Sequence, residues 1–178
     1  VKKLIFFTAQ IGPHKNHFLV LETMKRLIEI DPQFKLIMVG ENFSNINLNE
    51  MIENFKLKKN VKYFGRVSLR NLNRLYNLAD IVLCPSLYES GSLPTLEAIL
   101  INKNVISSDI ETHKELSNIF RIQLFKRNSP SNLLEVILDT YNNKKLIKDN
   151  IDYNSKIIKQ YDWINIAKKY YHEFKKLS

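Results

Sequence analysis

The stretch Ile81-Val82-Leu83-Cys84-Pro85-Ser86-Leu87-Tyr88-Glu89-Ser90-Gly91-Ser92-Leu93-Pro94-Thr95-Leu96-Glu97-Ala98 decides how the rest of the chain is read. Its first four residues are apolar without polar alternation, as in a strand covered on both faces. A turn-rich loop follows, and Leu93 to Ile101 reads as a helix with Leu93, Leu96 and Leu100 along one face. Glu97 falls on that same face. A carboxylate on an apolar stripe needs a donor, and a ligand hydroxyl, a neighbouring lysine or another helix start could each supply it. Glu89 stands in the loop, and Gly91-Ser92-Leu93 leads into the first helical turn, where unpaired N–H groups and the helix dipole favour an anion. Two carboxylates flanking an anion site suit a phosphorylated sugar, because an ionised carboxylate is an acceptor only and can take two hydroxyl donors.

Outward from this stretch the same alternation recurs. Leu4–Phe7, Leu36–Val39, Val61–Phe64, Val105–Ser107 and Ile122–Phe125 are further strand-like runs. Between them lie segments of helical period: Phe18, Leu19, Met24, Leu27 and Ile28 after a capping Asn16; Leu48, Met51, Ile52 and Phe55; Leu69, Leu72, Leu75, Tyr76 and Ala79 after Ser68. Ser129-Pro130 starts another helix, and from Tyr141 the chain is helical and lysine-rich, closing on Trp163, Ile166, Ala167, Tyr170 and Phe174. Alternating strands and helices imply an α/β fold: a Rossmann-like, doubly wound parallel sheet of about six strands with helices on both faces. The expected organisation is one domain over residues 1–178, with lysine-rich C-terminal helices over about 142–178. Ligands of such sheets bind beyond the carboxyl ends of the strands. Gly12, Gly40, Gly65 and Gly91, the only four glycines, each follow one of the first four strands and so mark that edge.

Composition agrees with a packed domain. The 178 residues include 44% hydrophobic and 25% charged types, which excludes a disordered tail. The single cysteine, Cys84, rules out an intramolecular disulfide and reads as inert core. The longest charge-free run, Leu4 to His14, is too short to span a membrane. Lys2-Lys3 before Leu4-Ile5-Phe6-Phe7 superficially matches a secretory signal, but the apolar run is short and no cleavage site follows. Val1 in place of Met is read as a sign that the chain was cut from something longer. A dinucleotide fingerprint needs three closely spaced glycines after the first strand, and only Gly12 is there; a Gly-Lys-Ser/Thr phosphate loop is also missing. Lys15, after Gly12-Pro13-His14, precedes a helix start, where a cation is better accommodated if an anion lies between the two.

The segment Glu89 to Glu97 resembles the E-x7-E motif of the family 4 (group 1) retaining glycosyltransferases, whose GT-B fold pairs two Rossmann-like domains. The resemblance runs along nearly the whole chain. Thr8-Ala9-Gln10-Ile11-Gly12-Pro13-His14-Lys15-Asn16 is similar to the opening of the donor domain, and Leu36-Ile37-Met38-Val39-Gly40-Glu41 to its strand-glycine-acid turn. Asn60 to Val67, Leu75 to Asp80, Asn104 to Asp109 and Asp162 to Ala167 also resemble family segments. The resemblance implies transfer of a sugar from a nucleoside-diphosphate sugar, with retention, to a glycan or lipid-linked acceptor, with no cofactor or metal required. It implies that Glu89 contacts the donor sugar and Glu97 the ribose, and that Lys15 with the amides at Gly91, Ser92 and Leu93 holds the diphosphate. Gln10, Gly12 and Gly40 would line the donor site, with Arg66 and Val67 against the base. Gln10 stands where the family usually has arginine, and a neutral amide cannot neutralise a leaving phosphate as arginine does. Ser90 and Ser92 replace usual glycines.

By the same resemblance the chain is the donor-binding half, with the N-terminal acceptor domain missing, and is expected to fold alone but to transfer no sugar alone. The formal charge is +9, and residues 141–178 carry nine lysines against four acids. That basic end is read either as a solvated helix face or as a peripheral contact with an anionic membrane, and the expected placement is cytoplasmic, either free or peripheral at the inner face of the membrane. Nucleic acid is not expected, since no stacking motif or reader accompanies the charge. His14 and His17 lack a third metal ligand at suitable spacing, and His113 reads as a helix-surface residue. The rival classes are a flavodoxin- or receiver-like binding module, which as a receiver would need acids after the first strand where Phe7-Thr8-Ala9-Gln10 has none, and a basic nucleic-acid-binding domain.

Overall fold

The structure, a computed structural model, describes residues 3–177; Val1, Lys2 and Ser178, including the start of the signal-like segment, lie outside the described residues. Six strands, β1 (Lys3–Thr8), β2 (Phe34–Val39), β3 (Val61–Tyr63), β4 (Ile81–Cys84), β5 (Asn104–Ser108) and β6 (Gln123–Phe125), form one sheet. Every pairing is parallel and the order is β3-β2-β1-β4-β5-β6. The helices are α1 (His17–Ile30), α2 (Leu48–Asn54), α3 (Leu69–Leu78), α4 (Leu93–Leu100), α5 (Glu111–Ile119), α6 (Pro130–Asn142), α7 (Lys144–Ile157) and α8 (Trp163–Leu177), and Pro13–Lys15 forms a 3₁₀ turn.

Strand period explains why the sheet is covered on both faces. Successive side chains point to opposite sides, so Ile5 and Phe7 join one core with Leu36, Met38, Leu83 and residues of α1, α2 and α6. Phe6 joins the other with Val39, Val82, Val105 and residues of α3 and α4. The central strands β1, β2, β4 and β5 feed both cores, which is why their runs show no polar alternation, whereas edge strand β3 feeds only the first and leaves Lys62 exposed. The chain first builds outward from β1 through β2 to β3, then crosses back to lay β4 on the other side of β1. The strand order therefore reverses between β1 and β4, and the loops after these two strands diverge around a crevice, the usual ligand position of an open α/β sheet.

Some expected helix faces are rotated. Phe18 and Leu69, placed on buried faces by spacing, are exposed. Phe18 packs edge-on against Phe55 at the surface, with ring centroids 5.3 Å apart. Asn16 does occupy the N-cap position of α1, but in a left-handed conformation and without a side-chain cap bond. Ser68 and Ser129 cap as expected, accepting from the amides of Asn71 and Asn132. In α8 the residues Trp163, Tyr170 and Phe174 are exposed, with no covering element among the described residues.

Gly40 ends β2 where the backbone passes under the loop after β1. Its φ is +150°, and a Cβ there would lie 1.7 Å from the Ala9 carbonyl oxygen. A Cβ at Gly91, by contrast, would meet nothing within 4 Å. Gly40→Ala is expected to destabilise the fold by more than about 1 kcal/mol, whereas Gly91→Ala should stay within about 0.5 kcal/mol of the parent. Urea unfolding of both variants checks this, and equal effects would contradict the close approach at Gly40.

Candidate functional site

The loops after β1 and β4 are joined residue by residue. The amide of Leu87 donates to the carbonyl of His14 at 2.7 Å, and the His14 ring stacks on Tyr88 with centroids 5.0 Å apart. Next to them Lys15 Nζ donates to Glu89 Oε1 at 2.5 Å, with both side chains only 16% exposed. Ser86 Oγ donates to the same oxygen at 2.7 Å. Glu89 is thus fixed by two donors on Oε1 while neither uses Oε2.

Above the pair lies a cleft of about 410 Å³ lined by Gln10, Lys15, Gly40, Arg66, Glu89, Ser92, Leu93 and Glu97 among others. Eight of the eleven residues singled out from sequence therefore meet in one place. Three do not line it. Gly12 is buried at the start of the 3₁₀ turn, Gly91 is exposed in the loop, and Val67 packs against the second core. Arg66 reaches the cleft with its guanidinium exposed, 3.5 Å from Glu41.

Glu97 corrects the sequence argument while keeping its place. The sheet-facing positions of α4 are Thr95, Ala98 and Ile99, spaced i, i+3 and i+4, and they are buried. The supposed apolar stripe points away from the sheet, with Leu93 68% and Leu100 60% exposed. Glu97 is exposed too, so it is not a carboxylate trapped in a core. It nevertheless has a donor that spacing does not reveal: Tyr76 Oη, from α3, donates to Glu97 Oε2 at 2.7 Å. Burial and the neighbouring carboxylate both push the Tyr76 hydroxyl far above its usual pKa, so it remains a donor. The periodicity of α3 places Tyr76 in a core and does not foretell the polar task of its tip.

The N-terminus of α4 borders the cleft. Ser92 sits at the N-cap but its side chain makes no cap bond, and Pro94 brings no N–H. The Ser92 hydroxyl bonds Thr95 Oγ1 at 2.8 Å and His113 Nε2 at 3.0 Å. The expected surface position of His113 is overturned: it is 0% exposed. Its helix starts immediately after β5, with the His113 amide on the carbonyl of Ile110, which turns the first turn of α5 beneath the β4 loop. Burial lowers its pKa and favours the neutral ring. Cys84 is core as expected, and burial pushes its thiol up to about 11, away from nucleophilic use. The two histidines considered as a metal pair have other surroundings: His14 lies on Tyr88, and His17 is buried against Phe7 at 4.7 Å.

The chain matches the family "Glycosyl transferases group 1" over residues 1–168. It is 24% identical over 178 residues to an uncharacterized glycosyltransferase of Methanocaldococcus jannaschii, covering 98% of this chain and 45% of that protein. It is 32% identical over 107 residues to the O-antigen chain mannosyltransferase RfbU of Salmonella typhimurium, covering 60% of this chain and 30% of that one. The crystal structure of Anabaena HepE in complex with UDP and glucose superposes with a TM-score of 0.81 at 18% identity, covering 98% of this chain and 48% of that chain. This chain spans less than half the length of each of these three proteins.

Burial holds His17 at a pKa of about 4, against 6.5 when exposed. The unfolded chain therefore takes up a proton between these values that the folded chain refuses, and stability falls as pH drops from about 6.5 to about 4. The full loss from this residue is about 3 kcal/mol, and His113 adds in the same direction. Denaturant unfolding at pH 7.5 and pH 5 should show the loss, and His17→Gln should show a smaller one; an unchanged pH dependence in the variant would contradict the assignment.

Proposed function

Because the chain belongs to the group 1 glycosyltransferase family, we propose that it binds the donor in a reaction that moves a sugar from a nucleoside-diphosphate sugar to a glycan or lipid-linked acceptor, with retention at the anomeric carbon. The observation that carries the reading is the meeting of Lys15, Glu89, Glu97 and the uncapped start of α4 in one cleft at the strand-order reversal. Lys15 is the cation for the diphosphate and, with the first-turn amides of α4, stabilises the charge that develops on the leaving phosphate. Glu89 is assigned to the donor sugar: its Oε2 is unused by the Lys15 and Ser86 bonds, and a carboxylate beside the anomeric centre favours a cationic sugar. Glu97 is assigned to the ribose hydroxyls, since a carboxylate that accepts from Tyr76 retains further acceptor capacity. Arg66 and Gln10, on the cleft wall, are assigned to the nucleotide.

The basic C-terminal end supports a second element of the reading. In α8, Lys168, Lys169, Lys175 and Lys176 occupy one side and Trp163, Tyr170 and Phe174 the other, the division found in helices that lie in a lipid interface. We assign it a peripheral contact with an anionic membrane surface, which suits a lipid-linked acceptor. No helix among the described residues is long and apolar enough to cross a membrane.

Isothermal titration of UDP, GDP and ADP should give binding of at least one nucleotide. Lys15→Ala should weaken it by roughly 10- to 100-fold, the value of a charged hydrogen bond, and Glu97→Ala should weaken it measurably. No nucleotide binding, with binding of an oligonucleotide instead, would overturn the reading. Sedimentation with vesicles containing phosphatidylglycerol should carry the chain down at low salt and release it at high salt; neutral vesicles binding equally well would contradict the contact.

A further inference from the structure

The end of β5 and the first turn of α5 grip the β4 loop at three points spaced three residues apart. Ser108 Oγ donates to the carbonyl of Ser86 at 2.5 Å, Thr112 Oγ1 to the carbonyl of Glu89 at 2.7 Å, and His113 Nε2 meets Ser92 Oγ at 3.0 Å. The direction of the last bond is fixed by the other ring nitrogen. His113 Nδ1 lies 2.8 Å from the carbonyl of Ser108, which can only accept, so Nδ1 carries the hydrogen. In the neutral ring Nε2 is then an acceptor and the Ser92 hydroxyl donates to it. Thr95 Oγ1, 2.8 Å away, donates in turn to Ser92 Oγ.

This arrangement sets Ser92 apart from four other caps. Asn47, Ser68, Ser129 and Asn143 each accept the amide three residues on, from Glu50, Asn71, Asn132 and Leu146. Serine prefers that role strongly. At Ser92 the equivalent donor is the amide of Thr95, since Pro94 has none, yet the hydroxyl is drawn away from it into the buried layer. We propose that His113 is a positioning residue of the donor site, anchoring the Ser92 hydroxyl inward so that the Ser92–Leu93 turn at the start of α4 is held beside the diphosphate of a bound nucleotide. The inference rests on the donor-binding reading above. Without the Nε2 acceptor, the Ser92 hydroxyl loses its anchor in the buried layer, and the Ser92–Leu93 backbone that borders the cleft is no longer held in place.

Two substitutions separate positioning from mere packing. His113→Asn can keep the donation to Ser108 but offers no acceptor to Ser92; His113→Gln can offer its Oε1 there. With the 178-residue chain and whichever of UDP, GDP or ADP the parent binds, His113→Asn should weaken the diphosphate roughly 3- to 10-fold, the range of one hydrogen bond. Affinity for the corresponding nucleoside, which has no phosphate, should not change, and His113→Gln should restore the diphosphate. Parental affinity in His113→Asn, an equal loss for nucleoside and diphosphate, or no rescue by His113→Gln would each overturn the role of His113. No nucleotide binding by the parent would instead overturn the donor-binding reading. Imidazole ¹⁵N spectra of the parent give a check independent of any variant's folding: His113 should carry its hydrogen on Nδ1 with Nε2 bare at neutral pH, and a hydrogen on Nε2 would contradict the proposal.

Discussion

The ion pair between Lys15 and Glu89 is the contact on which the cleft depends. It joins the loops after β1 and β4, the two strands between which the order reverses, and it does so next to a backbone bond from Leu87 to His14 and a ring stack of His14 on Tyr88. Together these three contacts hold the two divergent loops against each other. An ion pair at 16% exposure gives little net stability, because desolvation offsets most of the Coulomb gain. Its value is geometric: it places a cation and a carboxylate at a fixed distance before any ligand arrives, and preorganised charge costs no rearrangement at the moment of reaction.

The support for that pair comes from deeper layers. Ser86 holds Glu89 from its own loop, and Thr112 holds the Glu89 backbone from α5. Gly40 lets β2 close against Ala9, which brings the third wall of the cleft near Gln10. Tyr76 reaches from α3 to Glu97, tying the second carboxylate to the opposite side. The cleft is thus built by residues from β1 through α5 in sequence, and its polar groups converge only because parallel strands deliver every loop to the same edge.

The parts that can be read without coordinates are those governed by period and by short-range chemistry. The central strands are visible as apolar runs because they serve two cores, as Ile5 and Phe7 serve one and Phe6 the other, whereas edge strand β3 carries the exposed Lys62. The placement of Lys15, Glu89 and Glu97 on one edge follows from their positions after strands and at a helix start. What escapes is long-range. Tyr76 and Glu97 are 21 residues apart, as are Ser92 and His113, and no local pattern couples them. The helix α4 misleads for a related reason: leucine spacing suggests a buried stripe, but a short helix at the ligand edge turns Leu93 outward to the cleft and buries Thr95, Ala98 and Ile99. His113 reads as a surface residue because the tight start of α5 after β5, which tucks it under the β4 loop, is not written in its neighbours' polarity.

Whether this edge of the sheet is a nucleotide-sugar site is decided by mapping amide chemical-shift changes in the ¹⁵N-labelled chain as a nucleoside-diphosphate sugar is added. Changes should concentrate at Gln10, Lys15, Gly40, Glu89, Ser92 and Leu93, with the opposite edge of the sheet, around Gln33 and Asn104, undisturbed. Saturable changes centred elsewhere, or none with any donor at millimolar concentration, would contradict a nucleotide-sugar site there.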